Sequence, residues 1–533
     1  MRTRVGLAIL IAVSAAMQAA IAVRSGLWAD EVFSLAMATG HSMEHPAAAA
    51  EPARGDFVET AEPVNVAELQ RYLRMEDEVS TPANVLRAVA LSDTSPPLYY
   101  LLLHGWLRVA GTSDFALRAF AIMAALACVP LVFWIARDVH GERGGWMAAV
   151  LFAAAPMTLY YGTEARMYPL LWLCVLTVAA ATLRLMRGQR GWGVSAIWIA
   201  GSAAGFWVHY YFLFAWAALA AGWAMTMAME RRGKEKAVEL GRLGLHAVAV
   251  VALMAPWYAR LPDVFAAWRI TQDWVTWKSD AYTWPKVAMD SLTRWFSGDG
   301  NYLWRPHRKV GLMALAVFGA SAALMWWRDR RRMFGAQECL VWAWWAAAAL
   351  GPLLVDALRG TFIAEYPRYS TPALPAACVL GGWMLASWRG GRGGVAILVV
   401  LLCWSLPLRS IYRNDGRSGQ PTREAARRVN AAAEAGDLVL IQSVPTGALS
   451  LARYLTAPVD AAVWVEQLGQ RRVPESLARL IDGKRAVWVV SLHLVGASAP
   501  AEEWLRERAR VSREERVGNI AIREFRPREG ETF

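Results

Sequence analysis

Apolar blocks of roughly 15–22 residues, separated by short runs of arginine and lysine, recur between residues 5 and 411. This alternation constrains the fold more than any other feature. The hydrocarbon core of a bilayer is crossed by about 20 helical residues. Blocks of that length cannot all be buried in one soluble core. Charged residues make up 19% of the chain, against roughly 25% in soluble domains. A polytopic α-helical membrane protein is expected.

The basic clusters set its direction. Arg137/Arg143, Arg184/Arg187/Arg190, Arg231/Arg232/Lys234/Lys236 and Arg328/Arg330/Arg331/Arg332 lie between apolar blocks, as cytoplasmic loops do. The net charge of +12 therefore belongs to loops. No stripe of basic and aromatic residues marks a nucleic-acid face, so no nucleic-acid partner is expected. The first block, 5–23, follows "MRTR". Whether it spans or is a signal peptide, its basic flank keeps the N-terminus inside.

Threading from that start gives about 11 spans: 5–23, 116–136, 144–161, 168–186, 193–208, 211–229, 241–258, 310–327, 339–357, 373–388 and 394–411. The stretch 96–111 is too short to cross and carries His104 and Arg108. If it crossed, every later basic cluster would change sides, so it is expected to lie along the outer surface, opened by Pro96 and Pro97. The middle of 24–115 is polar, rich in alanine and proline, and expected to be mobile. All five cysteines fall in or beside apolar blocks, which predicts packing and no disulfide framework.

Two regions follow: 1–411, a transmembrane domain whose first outer loop is 24–115, and 412–533, a small α/β domain outside the membrane. In the tail, short apolar runs at 437–443 and 486–495 read as strands, and 422–436 as an amphipathic helix between Pro421 and Gly436. The chain holds no GxxxxGK[ST], HExxH or GxSxG motif.

The unusual polar residues gather on the outer side. Asp30, Glu31, Asp93, Glu164, Arg166, His209, Glu365, Arg368 and Tyr369 all fall at or near that face. The spans hold few ionisable residues at mid-depth, where a pump or transporter would place them. A site at the membrane–water boundary is implied, for a substrate that is part lipid and part polar.

Several stretches carry a family likeness. "LWADEVFSLA" (27–36) resembles the Asp-Glu motif in the first outer loop of lipid-linked-sugar glycosyltransferases of the C-type membrane fold (GT-C). "DTSPPLYYLLLHGWLRVAGTSDFALR" (93–118), "YYGTEARMYPLL" (160–171) and "PRYSTPALP" (367–375) also resemble signatures of that group. Its members include protein O-mannosyltransferases, lipid A aminoarabinose transferases and the bacterial glycosyltransferase family 39-like proteins, which the chain resembles most. The resemblance covers 1–410 as architecture.

It implies an inverting transfer of a sugar from a polyprenyl-phosphate carrier to an acceptor hydroxyl, on the outer face of the inner membrane. The partners implied are that donor, membrane lipid, and a glycan, lipid or protein acceptor. A base must take the acceptor proton, and donors must surround the departing phosphate. By motif match Asp30 is the base. Helix neighbours point about 100° apart, so Glu31 supports Asp30 rather than sharing its proton. Asp93, Tyr99, His104, Glu164, Arg166, Tyr168, Arg368 and Tyr369 are implied substrate contacts, with Arg166 and Arg368 toward phosphate. Ser95 stands where the aminoarabinose transferases have lysine, so their sugar specificity does not carry over. The tryptophan-rich segment 257–304 is read as a helical lid on lipid, with His307 and Lys309 as lesser candidates. No cofactor or metal site is established. A divalent metal stays open, although the acids of "MEDEV" (75–79) read as a solvated face. Two rival readings also stay open: a transporter or flippase of lipid-linked glycans, and a ligase or polymerase of whole glycans.

Overall fold

The computed structural model describes residues 2–271, 274–298, 308–414, 417–492 and 500–533. The chain divides into two compact units. The first is Met1–Ala22, Arg118–Leu261 and Asp273–Arg413; the second is Val23–Leu117, Pro262–Gln272 and Asn414–Phe533.

The first unit is helical. Among the described residues, eight helices are long and apolar enough to cross a membrane, and two shorter apolar ones, Trp192–Val208 and Ala373–Ala386, accompany them. The count of eight falls below the eleven expected for two local reasons. Those two helices stop short of a full span. The expected spans 116–136 and 144–161 lie on two helices of Asp114–Ala154 that meet at a kink at Gly141 and count as one, with Pro156–Gly162 forming a separate helix; the φ of 83° at Gly141 is open to glycine. Exposed apolar side chains line these helices: Leu245, Val248 and Val251 on Gly233–Tyr258, and Val395, Leu398 and Leu402 on Arg392–Arg413. Stripes of that kind face lipid, and the chain is a multi-pass membrane protein.

Small residues set the closest approach. A Cβ at Gly382 would lie 2.5 Å from the Ala148 backbone nitrogen, so the helices carrying them touch backbone to backbone. Fully buried Arg118 donates to the carbonyl of Ala22 at 2.6 Å, satisfying the end of the first helix, Arg2–Ala22. Cys128, Cys174, Cys378 and Cys403 are buried, whereas Cys339 is exposed.

The second unit is built on a mixed sheet of six strands: β1 (Val64–Asn65), β2 (Leu438–Gln442), β3 (Asp460–Trp464), β4 (Val487–Ser491), β5 (Ala509–Val517) and β6 (Ile520–Pro527). Their order is β1-β3-β2-β4-β6-β5. β2 lies parallel to both β3 and β4, with Leu440 opposite Ala462 and Val489. All five residues of β2 are buried, as a central parallel strand covered on both faces requires. Leu438, Leu440, Leu477, Leu480, Val489 and Phe525 form one core. The expected helix 422–436 is shorter, Thr422–Asn430. The expected strand 486–495 ends at Ser491, and residues 493–495 lie outside the described ones.

The loop 24–115 falls in the same compact unit as the tail. β1 comes from it and pairs antiparallel with β3, Val64 opposite Ala461. Its middle, expected to be mobile, is tied down. Arg87 grips buried Asp56 through both Nη atoms, at 2.5 and 2.7 Å. Buried Glu59 pairs with Arg471 at 3.4 Å and accepts from the Val465 amide at 2.6 Å. The stretch 96–111 forms a 13-residue helix, Leu98–Ala110. The tryptophan-rich segment holds the helices Leu261–Ala266 and Trp284–Ser297; Trp304 and His307 lie outside the described residues, and Lys309 is exposed at the start of a span.

Candidate active site

The predicted residues fall into two groups, one in each unit.

In the second unit, the helix Ala29–Ala38 starts from Trp28 in extended conformation. Its first amides have no partner within the helix. Glu31 turns back and accepts from the Trp28 amide at 3.4 Å, and its side chain is fully buried. Asp30, one residue earlier, is only partly buried. Asp30 is therefore not the N-cap; the capping falls to Glu31. The adjacent acids differ in burial, as an offset of about 100° on a helix allows.

Asp93 and His104 serve the local architecture. Asp93 follows the helix Pro82–Ser92. It accepts from the Ser95 amide at 3.0 Å and from the hydroxyl of Tyr100. That turn leads into Leu98–Ala110, where Tyr99 is buried with its ring edge-on to Tyr100 at 5.4 Å. Buried His104 donates through Nδ1 to the Ala38 carbonyl at 2.8 Å, so its Nε2 accepts from Arg108 Nε at 3.1 Å. Both ring nitrogens are engaged within the unit, closing the far end of the Asp30 helix.

One acid of this unit escaped sequence reading. Glu44 is buried and accepts from the Thr271 hydroxyl at 2.8 and 3.0 Å. Burial pushes its carboxyl up to about 7 despite those bonds. Nothing in "HSMEHP" signals this, because the partner lies more than two hundred residues away.

In the first unit, the turn after Pro156–Gly162 carries Glu164 and Arg166, both buried, and leads into the helix Tyr168–Met186. Tyr168, His209 and Tyr369 come from three distant segments. The His209 ring lies 6.4 Å from each of the two tyrosine rings. His209 Nδ1 accepts from the Tyr211 amide at 3.1 Å, which leaves the proton of a neutral ring on Nε2. The guanidinium carbon of Arg368 lies 4.9 Å from the centre of the Trp274 ring, 5.3 Å from Tyr369 and 5.4 Å from Tyr366. The result is a cation among aromatic rings, bordered by His209. Buried Arg294 donates to the Glu365 carbonyl at 3.3 Å, and Glu365 accepts from Ser279 at 2.8 Å. Trp274, Tyr366 and Arg294 were not singled out from sequence as site residues. Tryptophan at a membrane edge has an ordinary interfacial explanation, and nothing local distinguishes a stacking one.

Among the described residues, no three histidine, cysteine, aspartate or glutamate side chains gather so as to hold a metal ion.

Comparison with solved structures shows the fold. ArnT from Cupriavidus metallidurans in the apo state superposes with a TM-score of 0.58 at 12% identity, over 98% of each chain. The same protein bound to undecaprenyl phosphate gives 0.53 at 14% identity, over 97% of each chain. The chain has the GT-C fold. The likeness runs through both units, tail included. At this identity it speaks for the fold alone. No protein-family model and no curated sequence matches the chain.

Proposed function

We propose that the protein is an inverting glycosyltransferase. It moves a sugar from a polyprenyl-phosphate carrier to an acceptor hydroxyl at the outer face of the inner membrane. The observation that carries this reading is the end-to-end likeness to ArnT, a protein crystallised with undecaprenyl phosphate. The partial exposure of Asp30 beside a fully buried Glu31 supports it.

In this mechanism Asp30 takes the proton of the acceptor hydroxyl. The freed oxygen attacks the anomeric carbon from the face opposite the phosphate. The bond from that carbon to the phosphate oxygen breaks, its electron pair stays on the lipid phosphate, and the configuration inverts. Arg166 and Arg368 offset the charge of the phosphate. A guanidinium held by cation–π attraction among aromatic rings keeps its planar fork of N–H donors, which suits Arg368 to an oxyanion. Tyr168 and Tyr369 offer ring faces to a sugar.

The test is transfer by purified protein from a panel of undecaprenyl-phosphate-linked sugars to defined acceptors. Asp30→Asn should lower turnover by about 10²-fold or more while leaving the fold intact. Parental turnover in that variant would remove Asp30 as base. Carrier flipping in proteoliposomes without any sugar transfer would replace the whole reading with a transporter.

A further inference from the structure

We infer that the C-terminal tail is part of the catalytic apparatus: Tyr454, Gln420 and Thr422 are positioning residues that fix the start of the Asp30-bearing helix. This rests on the assignment of Asp30 as base.

The argument begins with backbone groups that need partners. Leu27, Trp28 and Ala29 lead into a ten-residue helix, and their amides have no acceptor within it. Glu31 serves Trp28. The other two are served by the tail. Tyr454 accepts from the Leu27 amide at 2.6 Å, and Gln420 Oε1 accepts from the Ala29 amide at 3.2 Å. Thr422 donates to the Leu27 carbonyl at 2.9 Å. Three tail side chains thus bind two backbone residues immediately before Asp30.

The Tyr454 hydroxyl is itself fixed. Having accepted from Leu27, it donates to Asp114 Oδ2 at 2.6 Å. Asp114 also receives Arg423 at 2.6 Å and Arg453 at 2.7 Å. Each of these bonds joins residues about 300 or more positions apart, so none can form from local propensity. A solvated linker would not spend a buried threonine and a tyrosine hydroxyl on one short loop. A catalytic base would require such bracing, since a displacement of about 1 Å costs on the order of 10²-fold in rate.

The experiment uses the full-length protein and whichever lipid-linked sugar of the panel the parent turns over best. Tyr454→Phe and Thr422→Val should each lower kcat about tenfold, with the donor KM within about twofold of the parent. Thr422→Ser, which keeps the hydroxyl, should restore kcat. Amide exchange at residues 27–31 should quicken in Tyr454→Phe, while β2 stays protected. Parental kcat in both tail variants beside an inactive Asp30→Asn would overturn the positioning role and leave the base assignment standing. So would a Thr422→Ser as slow as Thr422→Val, or unchanged exchange at 27–31. Parental turnover in Asp30→Asn would overturn both.

Discussion

Arg453 donates through Nε to Asp114 at 2.7 Å, joining the tail to the first residue of the helix Asp114–Ala154. Two further donors, from Arg423 and Tyr454, meet the same carboxylate. Asp114→Ala strands all three. Hydrogen bonds to charged groups are worth about 1.5–3 kcal/mol each and are not additive, so a loss of about 2–4 kcal/mol is expected. Thermal melting in detergent measures it, and an unchanged midpoint would show that the three contacts carry no net stability.

Glu31 separates stability from chemistry. Glu31→Ala loses the back-bond to Trp28 and should cost about 1 kcal/mol. Glu31→Gln keeps an acceptor oxygen and should melt close to the parent while retaining most turnover. A Glu31→Gln as inactive as Asp30→Asn would mean that the buried acid takes part in proton transfer.

Arg368→Lys keeps the charge and loses the planar guanidinium that lies among Trp274, Tyr366 and Tyr369. The donor KM should rise about tenfold with a smaller change in kcat. Titration of the lipid-linked donor checks this. Equal KM values would remove Arg368 from donor binding.

Glu44 gives a pH signature. Its carboxyl is raised from 4.5 to about 7, chiefly by burial. The folded state therefore holds the proton more tightly than the unfolded chain. The stabilisation is fully present below about pH 4.5 and is lost as pH rises through about 7. Glu44→Gln should flatten that slope and stabilise the protein at pH 8 by on the order of 1–3 kcal/mol. Chemical denaturation at pH 5 and pH 8 tests it, and parallel slopes in variant and parent would contradict it.

Gly382→Val would drive a branched side chain into the Ala148 backbone. Overpacking of this kind costs about 1–3 kcal/mol or more. A variant that melts like the parent would mean that the two helices separate at little cost.

Much of this architecture was legible because membrane solvation writes itself into composition. The run of apolar blocks and basic clusters marked the helical region, and the change of composition after 411 marked the tail. Helix geometry predicts that Asp30 and Glu31 point apart, and the contact to the Trp28 amide comes from Glu31. Other features left no local trace. Asp93 and His104, implied as substrate contacts, have as partners a turn amide, a tyrosine and a helix-end carbonyl. The ring cluster at His209 needs three distant segments. The middle of the loop, rich in alanine and proline, looked mobile because its anchors lie beyond it: Arg87 later in the same loop, Thr271 and Arg471 far along the chain.

The two-residue strand β1 bears on how the protein is made. Val64 pairs with Ala461, a residue translated about 400 positions later. At synthesis rates of about 5–20 residues per second, the loop waits roughly 20–80 s for its partner strand. During that interval Asp56 and Arg87 can already meet, whereas Glu59 has no Arg471 and the Leu27 amide has no Tyr454. Biogenesis thus has a built-in order, in which the segment bearing Asp30 reaches its final form only after the last domain is synthesised, and a chain truncated before the tail should carry an unassembled first loop.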